Sequence, residues 1–140
     1  MLQDIQITPL NIIDHPKGKI LHGMKNDETS FSQFGEAYFS MVNEGQVKGW
    51  KKHTVMSLNL IVPLGGIRFY LRDDRKESST FQKQMKITLS PENYLRLTVP
   101  PGYWMAFEGM EKTNMLLNIA SIKHDPNEAE VRDLNFFELS

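Results

Sequence analysis

The chain has 140 residues, with 16 Lys and Arg against 17 Asp and Glu for a formal charge of −1, and 40% of it is hydrophobic. One core serves ~100–200 residues, so a single domain spanning 1–140 is expected and disorder is excluded. The charge balance offers no positive field for phosphate backbones, which argues against nucleic acid as a partner, and the absence of cysteine removes disulfides, zinc-thiolate sites and thiol catalysis.

Residues 1–30 read as an N-terminal arm. The start carries Asp4 where a secretory leader needs a basic, then apolar, segment, and no run approaches the ~18–20 apolar residues that cross a bilayer. No membrane partner and a cytoplasmic address are expected. Short runs rich in β-branched and aromatic residues then follow: Ala37–Val42, Thr54–Val62, Ile67–Leu71, Met85–Leu89, Tyr94–Val99, Trp104–Phe107 and Met115–Ala120. These are predicted strands. Between them stand Asn43-Glu44-Gly45, Pro63-Leu64-Gly65-Gly66 in a hairpin position, the polar stretch Asp73–Ser79 as an exposed turn, and Ser90-Pro91-Glu92-Asn93 with turn chemistry. Residues 122–140 form a tail; from His124 on it is charged without clean alternation, which predicts a surface loop or one short turn.

A strand every 8–12 residues, with no helical pattern between, predicts an all-β, antiparallel double sheet or barrel. Leu58–Val62 is apolar nearly throughout and should be a central strand, whereas Lys86–Leu89 and Tyr94–Val99 alternate and should bury one face.

Lys48-Gly49-Trp50-Lys51, Asp73-Asp74-Arg75 with Ser78 and Thr80-Phe81, Leu89-Ser90-Pro91-Glu92-Asn93 and Pro100-Pro101-Gly102-Tyr103 stand in a collinear order that resembles the dTDP-4-dehydrorhamnose 3,5-epimerase family of the cupin superfamily. Asp14, Lys17 and Gly18 correspond to that family's early Asp-x-Arg-Gly. The resemblance runs from about residue 14 to 121 and implies a jelly-roll β-barrel, a nucleotide-sugar substrate and a homodimer. It also implies a histidine base in the first motif, where the ungapped match has Lys51 and a small gap supplies His53. The family's catalytic tyrosine falls at Leu117 or Asn118, and the histidine after Pro-Pro-Gly falls at Met105. No phenol stands there, and Asn118 is expected to be a substrate-binding position.

Strand alternation puts Lys51 and His53 on one face and Trp50 and Lys52 on the other, which makes the first two the candidate catalytic pair. In a barrel mouth two cationic groups depress each other's pKa toward the range of a general base. Arg75 is placed to clamp a diphosphate or to make an ordinary Asp–Arg turn. Arg68 and Arg72 either line the cavity or are solvated outside it, and Tyr103, Trp104 and Tyr38 either stack on a base or sugar ring or serve as core and dimer contacts. The eight methionines read as core filler. Only His53 would stand in the metal-binding motif of other cupins, so neither metal nor cofactor is expected.

The functional expectation is an epimerase or isomerase acting on a nucleotide-linked 4-keto-6-deoxyhexose in surface polysaccharide synthesis. Proton abstraction beside the ketone is the chemistry, with Tyr38 or water returning the proton. The alternative, which the missing tyrosine favours, is a non-catalytic sugar-nucleotide-binding or regulatory module.

Overall fold

Alternation builds the two layers of this molecule. In the strand Ile67–Asp73, the side chains of Ile67, Phe69 and Leu71 enter the main core while Tyr70 joins a separate aromatic cluster on the opposite face. The computed structural model, which describes residues 1–140, contains twelve strands. They are β1 (Gln6–Pro9), β2 (Ile12–Ile13), β3 (Ile20–Leu21), β4 (Glu36–Met41), β5 (Val47–His53), β6 (Leu58–Leu64), β7 (Ile67–Asp73), β8 (Gln84–Leu89), β9 (Leu95–Val99), β10 (Tyr103–Gly109), β11 (Met115–Ala120) and β12 (Ala129–Val131). A 3₁₀ turn, Leu134–Phe136, follows.

Two five-stranded sheets face each other in the orders β1-β9-β6-β11-β4 and β12-β5-β10-β7-β8, and every pairing in them is antiparallel. This is an all-β jelly roll. The core lies between the sheets and includes Leu60, Val62, Phe69, Leu89 and Leu97, with Leu2 and Ile5 closing it from the N-terminal side. No helix is long and apolar enough to cross a membrane.

Several local expectations need correction. Gly65-Gly66 is a corner between sheets, because β6 and β7 pair with different neighbours. Gly65 has φ 78°, and a Cβ there would stand 2.1 Å from the Thr113 carbonyl oxygen, so the corner requires glycine. The predicted strand from Thr54 to Val62 begins only at Leu58. Its first residues spend their N–H groups on a carboxylate from the C-terminal segment.

Asp73 is fully buried, so the stretch after it is not simply an exposed turn. Ser78 Oγ and Thr80 Oγ1 donate to Asp73 Oδ2 at 2.5 and 2.7 Å, and Arg75 Nε donates to Oδ1 at 2.9 Å. Burial pushes this carboxyl up, but those donors outweigh it and hold Asp73 well below the usual range. The tail also departs from a plain surface loop. Its β12 pairs with β5, opposing Ala129 to His53 and Val131 to Lys51, and Phe137 then packs edge-on against Trp50 with ring centroids 5.5 Å apart.

Candidate active site

One end of the space between the sheets is left unfilled by the core. A cavity of about 300 Å³ opens there, at the lower end of the range for small-ligand sites. Leu58, Leu60 and Leu116 from one sheet and Met105 and Phe107 from the other give it apolar walls. The polar groups converge from three strands on two opposite walls: Tyr38 and Ser40 on β4 with Asn118 on β11 beside Tyr38, and Lys48, Lys51 and His53 on β5.

Strand alternation accounts for Lys51 and His53, but not for Lys48. The β5–β10 register pairs Met105 with Lys51 and Phe107 with Lys48, so two residues, Gly49 and Trp50, oppose the single Ala106. This β-bulge reverses the facing of everything before it and brings Lys48 into the cavity. Gly49 permits the close approach, since a Cβ on it would lie 2.5 Å from that of Ala106. Lys48 Nζ donates to the Met41 carbonyl at 2.6 Å and so holds position on the rim.

His53 is paired with an acid that sequence reasoning missed. Glu128 Oε1 lies 2.7 Å from His53 Nδ1, and the side chains are 4% and 12% exposed respectively. Oε2 of Glu128 accepts from the backbone N–H groups of Thr54, Val55 and Met56 at 3.0, 2.9 and 2.9 Å. Burial pushes the Glu128 carboxyl up, but the N–H groups of Met56 and Val55 and the His53 ring prevail and bring it down to about 2. An ionised carboxylate only accepts, so Nδ1 carries the proton of that bond and the other ring nitrogen, Nε2, holds the free lone pair in the neutral imidazole. The geometry therefore places an oriented imidazole on one wall and a phenol on the other.

The model of the family FdtA, described as WxcM-like, C-terminal, matches residues 3–139. The chain belongs to this family. A dTDP sugar isomerase from Desulfovibrio desulfuricans G20 superposes with a TM-score of 0.93 at 34% identity, over 96% of this chain and 87% of that one. A dTDP-4-dehydrorhamnose 3,5-epimerase from Sulfolobus tokodaii superposes with a TM-score of 0.86 at 22% identity, over 97% and 81% of the two chains, and shows the shared fold. The probable low-salt glycan biosynthesis epimerase Agl13 of Haloferax volcanii is 21% identical over 127 residues, 89% of this chain and 81% of that protein. The chain is thus a cupin related to sugar-nucleotide epimerases and isomerases.

Five of the residues singled out in the sequence lie away from the cavity. Arg75 spends its guanidinium on Asp73, on Asp4 at 2.8 Å and on the Gln3 carbonyl at 2.8 Å, where it ties down the N-terminal arm. Tyr103 is buried in the main core and donates to the Gln3 carbonyl at 2.6 Å; burial, and then the Asp73 charge, push its phenol up to about 12. Trp104 is buried in the outer aromatic cluster with Trp50 and Tyr70. Arg68 donates to Thr88 Oγ1 at 3.3 Å, and Arg72 stacks over Phe137 with its guanidinium carbon 4.4 Å from the ring centre.

Proposed function

We propose that this chain is an epimerase or isomerase acting on a nucleotide-linked 4-keto-6-deoxyhexose, with His53 as the base. The observation that carries the reading is the His53 ring in the wall of the cavity, oriented from behind by Glu128. The keto group acidifies the adjacent C–H. His53 Nε2 takes that proton, the C–H electron pair forms the enolate, and Lys51 and Lys48 supply positive charge for the developing oxyanion and for the diphosphate. A proton returned to the enolate carbon gives the product. Lys51, the other candidate base, has no counterpart to the Glu128 contact that fixes the imidazole, so its role in this reading is electrostatic.

Surface polysaccharide synthesis and a cytoplasmic setting go with such a substrate. A homodimer is part of the same reading: β4 is an edge strand with Phe39 64% exposed, and such edges are normally covered.

The test is solvent exchange. In D₂O with dTDP-4-keto-6-deoxyglucose, the protein should introduce deuterium beside the ketone, and His53→Asn should slow this by ~10²–10⁴-fold while leaving the unfolding midpoint nearly unchanged. Saturable binding of the nucleotide sugar without exchange would make the chain a binding module.

A further inference from the structure

On the wall opposite His53, Asn118 Nδ2 lies 3.0 Å from the Tyr38 hydroxyl, and Asn118 Oδ1 lies 3.2 Å from the backbone N of Asn59. We propose that Asn118 is a positioning residue that turns the Tyr38 hydroxyl proton into the cavity, making Tyr38 the group that returns a proton to the face opposite His53. The inference rests on the reading of the site given above and deepens it.

The two ends of a carboxamide have the same shape, and its orientation follows from its partners. Asn118 is 2% exposed, so neither end can turn to water. A main-chain N–H can only donate, which fixes the Asn118 oxygen toward Asn59 and its NH₂ group toward Tyr38. Asn59 is itself pinned from the far side of the sheet, where Thr98 Oγ1 donates to its Oδ1 at 2.6 Å and its Nδ2 donates to the Ser30 carbonyl at 3.3 Å. The chain of donors thus has one direction. Tyr38 receives a hydrogen bond at the sheet surface, and its own O–H is left for the cavity that it lines.

In the return step the Tyr38 O–H bond breaks with its electron pair left on oxygen, and the enolate pair forms the new C–H bond as the ketone is restored. The Asn118 N–H then faces the oxyanion. The proton held by His53 passes to solvent and a solvent proton restores the phenol, so the cycle closes with no other reactant.

Asn118→Asp tests this with almost no change of shape. One carboxylate oxygen still accepts from Asn59, while the other now accepts from Tyr38 and draws the phenol proton back to the sheet. Tyr38→Phe removes the proton outright at a rim position 41% exposed, where folding is not at risk. With dTDP-4-keto-6-deoxyglucose in D₂O, both variants should keep deuterium exchange within about 3-fold of wild type, through return of a solvent-derived deuteron by His53, and lose product by ~10²-fold or more. The double variant should be no worse than Tyr38→Phe alone. Product formation by Asn118→Asp at the wild-type rate, or equal losses of exchange and product, overturns the inference while leaving His53 as base. Absence of exchange in the wild type instead removes the reading of the site and this inference together.

Discussion

The two faces of β5 use the same alternation for different ends. Lys51 and His53 enter the cavity, whereas Trp50 and Lys52 meet the outer cover supplied by the C-terminal segment. On the cavity side, polar groups stand among apolar walls with few partners. On the outer side nearly every group is matched: Trp50 Nε1 donates to the Leu134 carbonyl at 3.0 Å, Trp50 and Arg132 exchange backbone hydrogen bonds, and Lys52 lies 5.0 Å from the centre of the Trp104 ring. One strand thus holds both the cavity-facing imidazole and the anchor of the segment that orients it, since Glu128 immediately precedes β12.

The sharpest way to break this division is Trp50→Ala. The ring is fully buried, and removal of such a side chain costs about 3–5 kcal/mol through lost transfer and an unfilled cavity. If the outer cluster anchors the tail, urea unfolding should show that loss, and deuterium exchange should fall as well because β12 and Glu128 loosen together. His53→Asn should do the reverse, abolishing exchange at nearly constant stability. Stable Trp50→Ala protein with full exchange would show that the tail holds without its aromatic anchor.

Acid acts on the same contact. The Glu128 carboxyl titrates at about 2 in the folded protein against an ordinary value of 4.5, so the folded state is stabilised at pH above 4.5. That contribution, on the order of 3 kcal/mol, is lost as pH falls from 4.5 through 2, because the unfolded chain binds the proton first. Unfolding free energy measured by denaturant between pH 5 and 2 should therefore fall by about 3 kcal/mol more in wild type than in Glu128→Gln, which has no such proton to bind. Equal slopes for the two proteins would mean that the carboxylate is not held by the Thr54–Met56 backbone as the geometry requires.

Much of this arrangement is legible in the sequence where physics is local. The strands near 67–71, 85–89, 94–99, 104–107 and 115–120 announce themselves by alternation and by β-branched and aromatic content, and the collinear motifs point to the jelly roll. The shared facing of Lys51 and His53 follows from the two-residue period of a strand. Lys48 could not be placed by that rule, because a bulge depends on the register of β10 against β5. Glu128 lies 75 residues from His53, in a charged segment whose pairing with β5 has no local signature. The adjacent aromatics Phe136-Phe137 were the available hint that the tail docks on the body. Arg75 and Tyr103 looked like ligand groups for a similar reason: their partners Gln3 and Asp4 stand at the far end of the chain.

The smallest expected effect separates outer-face electrostatics from outer-face packing. Lys52 Nζ lies 2.6 Å from Asp74 Oδ2 and 2.9 Å from Glu130 Oε2. Burial pushes the Lys52 ammonium down, but the two carboxylates outweigh it and hold it above its ordinary 10.5. Lys52→Met keeps an unbranched apolar stem against Trp104 while removing the charge, and it leaves Asp74 and Glu130 to repel each other across the vacated position. Partly exposed pairs of this kind are worth about 0–1 kcal/mol, so the loss at neutral pH should be below about 1 kcal/mol and should shrink in high salt. A raised folded value means that the wild-type advantage is complete below pH 10.5 and disappears as pH climbs through the folded value, where the two proteins should converge. Because the side chain faces away from the cavity, exchange should proceed at the wild-type rate. A loss of several kcal/mol, or a fall in exchange, would mean that Lys52 governs the seating of β12 and that the two faces of β5 are less separate than their contacts indicate.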